Sequence, residues 1–298
     1  MSEAGDPRPT GAGPASAVLL LSCPDRRGIV AAVANFVAAH GGNILHADQH
    51  VDSVPGGPVF FQRVEFALEG FELARHDIAP AFRDAVAGRF AMSADVRFSD
   101  ERIRLAVLAS RQPHCLTDLL MRWSAGELPA DLRVVVSNHP DHADLCIALG
   151  VPYVHAPLGE HGKDGQEAVV RGALAEHGIE LVVLARYMQI LSPGFIAEHR
   201  NRIINIHHSF LPAFVGANPY RQAHDRGVKL IGATAHYATD ELDEGPIIDQ
   251  ETARVSHRDD VARLTRAGRD LETIVLARAV RAHLEHRVLV YGHKTVVF

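Results

Sequence analysis

Tryptophan occurs once and cysteine three times among the 298 residues. Cys23, Cys115 and Cys146 are odd in number and far apart. They form neither a disulfide framework nor a CxxC metal motif, and read as buried thiols in a reducing cytoplasm. No apolar run approaches the roughly 20 residues of a membrane-spanning helix. The opening MSEAGDPRPTGAGPAS lacks the basic-then-apolar order of a secretory signal. A membrane partner is therefore not expected. Charge of one sign is also scarce: 30 Lys and Arg against 36 Asp and Glu leave a net charge of -6. That balance speaks against general nucleic-acid binding. Histidine is plentiful at 19, but His139/His142 and His207/His208 have no companion ligands at zinc-motif spacing, so no metal is expected.

What is present is the composition of a globular protein, 47% hydrophobic and 22% charged, with length for one large or two ordinary domains. Residues 1–15 read as a disordered tail. From residue 16 to 98 the pattern is β-α-β-β-α-β. Ala17–Cys23 is a short apolar strand, and Pro24–Gly28 turns into a helix with Ile29, Val33, Phe36 and Val37 on one face. Two strands, Asn43–Val51 and Val59–Leu68, flank Pro55-Gly56-Gly57-Pro58, with Phe60, Val64, Phe66 and Leu68 on one face. A helix over Phe71–Phe90 and a strand over Ala94–Phe98 complete a ferredoxin-like α+β unit.

After the charged joint Ser99–Arg102 the rhythm changes. Short strands at Ile103–Ala109, Leu132–Ser137, Tyr153–His155, Glu180–Ala185 and Arg202–Ile206 alternate with amphipathic helices. This predicts a doubly wound α/β domain on a mainly parallel sheet over 103–298, with a closing helix over Asp259–His286 and a docked tail. Ligands in such sheets sit at the carboxyl ends of strands. Asn205 and His207 stand at such an end. Being two apart on a strand, they project to the same side. An amide and an imidazole there suit oxyanion stabilisation and proton transfer in acyl chemistry. The acidic turn Asp240–Pro246 follows the strand Leu230–Tyr237, which carries His236.

Residues 103–255, with NIHHSFLPAF, LARYMQILS and LDEGPII, resemble the folate-dependent formyltransferase family, and residues 16–98 resemble an ACT-type regulatory domain. The resemblance implies Asn205, His207 and Asp243 as the catalytic set. It implies folate contacts from Met188, Gln189, Ile190 and Leu191 and from Ala238, Thr239 and Asp240. A transferase acting on a phosphorylated amine needs a glycine-rich cradle after its first strand. Here Ser110–Leu116 has no glycine and carries Pro113, so water is the expected acceptor.

With the ending VYGHKTVVF, nearly the whole chain resembles the formyltetrahydrofolate deformylases. That resemblance implies hydrolysis of 10-formyltetrahydrofolate to formate and tetrahydrofolate in the cytoplasm, supplying one-carbon and purine metabolism, with the folate as substrate and no separate cofactor. Formyl transfer to an amine, and a catalytically idle folate or amino-acid sensor, are the rival readings. His208 stands either as a residue that orders the hydrolytic water or as one that fills the place of an amine substrate. Val215 stands where relatives often have lysine, which leaves the charge of its loop open. The first domain is either a sensor of glycine or methionine or a structural module, and a homo-oligomer is expected.

Overall fold

The computed structural model describes residues 14–160, 162–212 and 219–298. Residues 1–13 of the expected tail, and Val215, lie outside the described residues. The chain divides into two compact units. One holds the chain up to Arg102 with Glu285–Leu289 and Val296–Phe298, and the other holds Ile103–Leu284 with Val290–Thr295.

The first unit contains β1 (Ser16–Pro24), α1 (Ile29–Ala39), β2 (Ile44–Val54), β3 (Gly57–Ala67), α2 (Arg75–Phe82), α3 (Gly88–Phe90) and β4 (Ser93–Phe98). Its sheet runs β2-β3-β1-β4 with every pair antiparallel, the ferredoxin-like order. Strand alternation aims Ala17, Leu19, Leu21 and Cys23 at Phe60, Val64 and Phe66. Helical spacing adds Ile29, Val33, Phe36 and Val37, and then Ile78, Phe82, Val86 and Phe90, to the same core.

Three details differ from the sequence pattern. Val54 pairs directly with Gly57, so the hairpin turn contracts to Pro55-Gly56, with Gly56 at φ 107. The helix expected over 71–90 starts at Arg75 and passes through a π turn at Arg83–Ala87, one turn after Pro80, which has no N–H to donate. Residues 285–289, placed with the second domain by pattern alone, group with this unit: Arg63 donates to the carbonyls of His286 at 3.0 Å and Glu285 at 3.2 Å.

The second unit contains β5 (Ile103–Ala109), α4 (His114–Ser124), β6 (Ala130–Ser137), α5 (Ala143–Ala148), β7 (Tyr153–His155), α6 (Gly162–Glu176), β8 (Leu181–Ala185), α7 (Pro193–Glu198), β9 (Ile203–His207), α8 (Pro219–Asp225), β10 (Leu230–Tyr237), β11 (Ile247–Arg254) and α9 (Val261–Leu284). The sheet order is β11-β10-β9-β8-β5-β6-β7. β7 through β9 are parallel, and β10 and β11 continue the sheet antiparallel.

Helices α6 and α7 press Val170, Leu174, Phe195 and Ile196 onto Leu108, Val136, Leu184 and Ile203. Helix α9 lies along β9, β10 and β11 and packs against α4. The chain runs outward from β5 to β7 and then returns to β8 on the other side of β5. This is a topological switch point, and a crevice opens at the carboxyl ends there. The tail forms a hairpin of β12 (Val288–Tyr291) and β13 (Lys294–Val297). Among the described residues no helix is long and apolar enough to cross a membrane.

Candidate active site

Strand β9 ends beside this crevice. Its alternation buries Ile206 in the sheet and turns Asn205 and His207 to the cleft side. The antiparallel register sets His236 of β10 opposite Asn205 and Thr234 opposite His207. The next loop is then fastened back on the sheet. Ala238 N–H donates to Ile203 O and Tyr237 N–H to Pro246 O, both at 2.9 Å. A Cβ on Gly245 would fall on the Tyr237 carbonyl, so only glycine lets the loop return this closely. Asp243 takes a left-handed φ of 60 within the loop, and its Oδ2 lies 3.1 Å from His207 Nδ1.

These contacts define proton positions. His236 Nδ1 lies 3.0 Å from Tyr237 O, an acceptor only, so Nδ1 carries the proton and Nε2 accepts. Asn205 Nδ2 donates to that Nε2 at 3.2 Å, which leaves its second N–H available. Burial opposes ionisation of Asp243, but the hydrogen bond from His207 outweighs it and holds the carboxyl well below the usual range. The carboxylate therefore accepts from His207 Nδ1. Among the described residues His207 Nε2 is buried with no hydrogen-bond partner, and His207 lines the cleft. His208 stacks on His207 with ring centroids 5.0 Å apart. Burial, then Arg186 and His207, lowers its pKa to about 4.

The cleft has a volume of about 740 Å³. All the residues expected from the sequence line it: Asn205, His207, His208 and Asp243, then Met188, Gln189, Ile190 and Leu191, then Ala238, Thr239 and Asp240. Arg186 and Met188 join Asp243 in left-handed backbone at φ 60 and 56. Such conformations collect at functional sites because they re-aim backbone groups. Ser110, the first residue of the loop after β5, is engaged internally, while Gln112 and His114 line the cleft. Ser110 Oγ hydrogen-bonds Asn138 Oδ1 at 2.6 Å and the Tyr187 carbonyl, while its own carbonyl accepts from His142 at 2.6 Å.

Sequence reasoning left His236, Tyr220, Arg186 and Glu272 out of the site, although all four line the cleft. For Glu272 a signal existed: it falls on the buried stripe of α9 with Leu264, Gly268, Leu271 and Val275. A carboxylate on an apolar stripe needs partners. Among the described residues, ligand atoms of His114, Cys115 and Glu272 gather within 4.8 Å. Arg186 Nε lies 3.4 Å from the Glu272 carboxylate, and burial drives the Cys115 thiol well above its ordinary range. That environment is unfavourable for a cation.

A seven-stranded switch-point sheet with an Asn-His-Asp cleft defines an acyl-group enzyme domain, and the formyl transferase family matches it over residues 103–280, with the ACT domain family matching residues 17–74. The formyltetrahydrofolate deformylase of Synechocystis sp. is 52% identical, over 95% of this chain and 98% of that one. The crystal structure of a formyltetrahydrofolate deformylase from Pseudomonas syringae pv. tomato superposes with a TM-score of 0.92 at 47% identity, over 97% and 96% of the two chains. A glycinamide ribonucleotide transformylase 1 from Symbiobacterium toebii is similar over 66% of this chain and 94% of its own, with a TM-score of 0.62 at 32% identity. The chain belongs to the formyl transferase family and, over almost its whole length, to the formyltetrahydrofolate deformylases within it.

Proposed function

We propose that this protein hydrolyses 10-formyltetrahydrofolate to formate and tetrahydrofolate, with Asn205, His207 and Asp243 as the catalytic set. The observation that carries the reading is the Asp243–His207 pair at 3.1 Å, with His207 Nε2 buried and, among the described residues, unpartnered in the cleft that Asn205 also lines. Asp243 holds the Nδ1–H tautomer, so Nε2 is a base facing the cleft. Water attacks the formyl carbon as His207 takes its proton. Asn205 donates its free N–H to the developing oxyanion. Collapse breaks the bond from carbon to N10, and His207 returns the proton to N10. Formic acid and tetrahydrofolate leave, and the acid ionises in solvent.

The folate lies along Met188–Leu191 and Ala238–Asp240 in this reading, and no separate cofactor takes part. In this reading His208, stacked on His207, stands where it can order the hydrolytic water. The glycine-free loop at Ser110–Leu116, engaged internally at Ser110, favours water over a phosphorylated amine. Incubation with 10-formyltetrahydrofolate alone tests this. Formate release without added amine supports hydrolysis, release only with amine supports transfer, and no release supports a sensor. We further propose a cytoplasmic homo-oligomer whose ACT domain takes glycine or methionine. Calorimetric titration of the full chain with each amino acid tests the effector, and no heat from either would remove it.

A further inference from the structure

Along the α8–α9 lining of the cleft, Glu272 of α9 is 1% exposed and both oxygens of its carboxylate have partners. Tyr220 donates its hydroxyl to Oε1 at 2.5 Å, and His114 Nε2 stands 2.7 Å from Oε2, with Arg186 Nε at 3.4 Å. Tyr220 belongs to α8, 52 residues away in sequence. Its hydroxyl end lies over Gly268, one turn before Glu272 on α9: a Cβ at 268 would fall on the Tyr220 ring and hydroxyl. Glycine inside a helix is less favourable than alanine. Gly268 has no left-handed φ to explain it, so room for Tyr220 is the structural reason for glycine there. From this notch the Tyr220 ring stands 6.3 Å from His208, which stacks on His207. A continuous wall thus runs from the catalytic imidazole through His208 and Tyr220 to Glu272.

We infer that Tyr220, latched into the Gly268 notch by Glu272, is a specificity-determining residue that closes this side of the cleft to amines and leaves water as the acceptor. The inference rests on the hydrolytic reading above. The chemistry of the trio does not by itself choose between the two acceptors. An amine would form its bond to the formyl carbon, the bond to N10 would break, and the amine proton would pass through His207 to N10. The products would be a formamide and tetrahydrofolate, with no further reagent needed. Discrimination must then come from access, and a shaped wall admits water more readily than a larger nucleophile.

The test uses the full-length protein with 10-formyltetrahydrofolate and a titration of glycinamide, reading formate and N-formylglycinamide by mass spectrometry against an enzyme-free control. Wild type is expected to give formate only. Tyr220→Ala should raise the ratio of formylated amine to formate by at least about tenfold, the scale on which pocket shape discriminates. Gly268→Ala, which forces the ring out of its notch, should move the ratio in the same direction. Tyr220→Phe keeps the ring and should remain formate-only. The inference is overturned if Tyr220→Ala and Gly268→Ala fold, turn over and still give formate alone, or if wild type formylates glycinamide freely. Thermal melts establish folding; should one of the two opening variants fail to fold, the other decides. Absence of formate from wild type would instead remove the hydrolytic reading, which keeps the two failures distinct.

Discussion

The two walls of the cleft differ in what they leave unsatisfied. Along one, Met188, Ile190 and Leu242 are 62%, 64% and 60% exposed, large apolar side chains gathered beside backbone turned into left-handed conformations. Along the other, the buried Glu272 carboxylate gathers the Tyr220 hydroxyl, His114 Nε2 and Arg186 Nε, while His114 Nδ1 and Arg186 Nε lack a hydrogen bond among the described residues. Exposed apolar surface in a cleft marks a wall made for a ligand. A buried polar network centred on one carboxylate marks a wall that keeps its shape. The Asn205–His207–Asp243 set lines the same cleft; in the proposed reading one lining offers the donor a place and the other restricts what can approach it.

The largest effect should come from the junction. Asp243→Asn leaves the shape but replaces the acceptor that holds His207 in its Nδ1–H tautomer. By analogy with other carboxylate–imidazole pairs, turnover should fall about 10⁴-fold. Steady-state formate release checks this, and activity within tenfold of wild type would sever the pair from catalysis. Asn205→Ala removes one oxyanion donor and should cost about 10²–10³ in kcat, roughly 3–4 kcal/mol, with the folate KM nearly unchanged. A change confined to KM would instead move Asn205 to the binding wall.

On the ligand wall, Leu242→Ala should raise the folate KM by about tenfold, near 1.4 kcal/mol of lost apolar contact, and leave kcat almost intact. An unchanged KM would break the comparison, because it would take Leu242 out of the ligand's reach. The last effect is on stability and belongs to the polar wall. His208 is held neutral, its pKa lowered to about 4 from 6.5. Its contribution to stability is whole above about pH 6.5 and is lost as pH falls toward 4, because the unfolded chain takes the proton first. Denaturant melts at pH 7 and pH 5 should show a loss of up to roughly 1.4 kcal/mol per pH unit from this residue, which His208→Gln removes. An equal loss in wild type and variant would show that the imidazole is not held neutral by its surroundings.

Much of the layout was legible from local pattern. The apolar alternation of Ala17–Cys23, the 3.6-residue stripe from Ile29 to Val37 and the strand-helix rhythm after Ile103 all led to observed elements. The strand position of Asn205 and His207, two residues apart, already implied one shared face. The helix expected over Phe71–Phe90 begins only at Arg75. Pro80 and the π turn change its hydrogen bonding while Ile78, Phe82, Val86 and Phe90 keep the apolar stripe continuous, which is why hydrophobicity does not reveal them. His236 stayed out of the site because only the β9–β10 register sets it opposite Asn205.

Periodicity is a relation among neighbours, so the sequence by itself determined which segments became strands and helices and which faces turned inward. It also determined that an amide and an imidazole would share one strand end. Tertiary structure alone decided the partners of those groups. His114 meets Glu272 across 158 residues, and Tyr220 finds the notch at Gly268 on another helix. Residues 285–289 join the first unit although they follow the last helix of the second. Each of these depends on register and helix docking, which long-range packing sets and which short-range spacing does not encode.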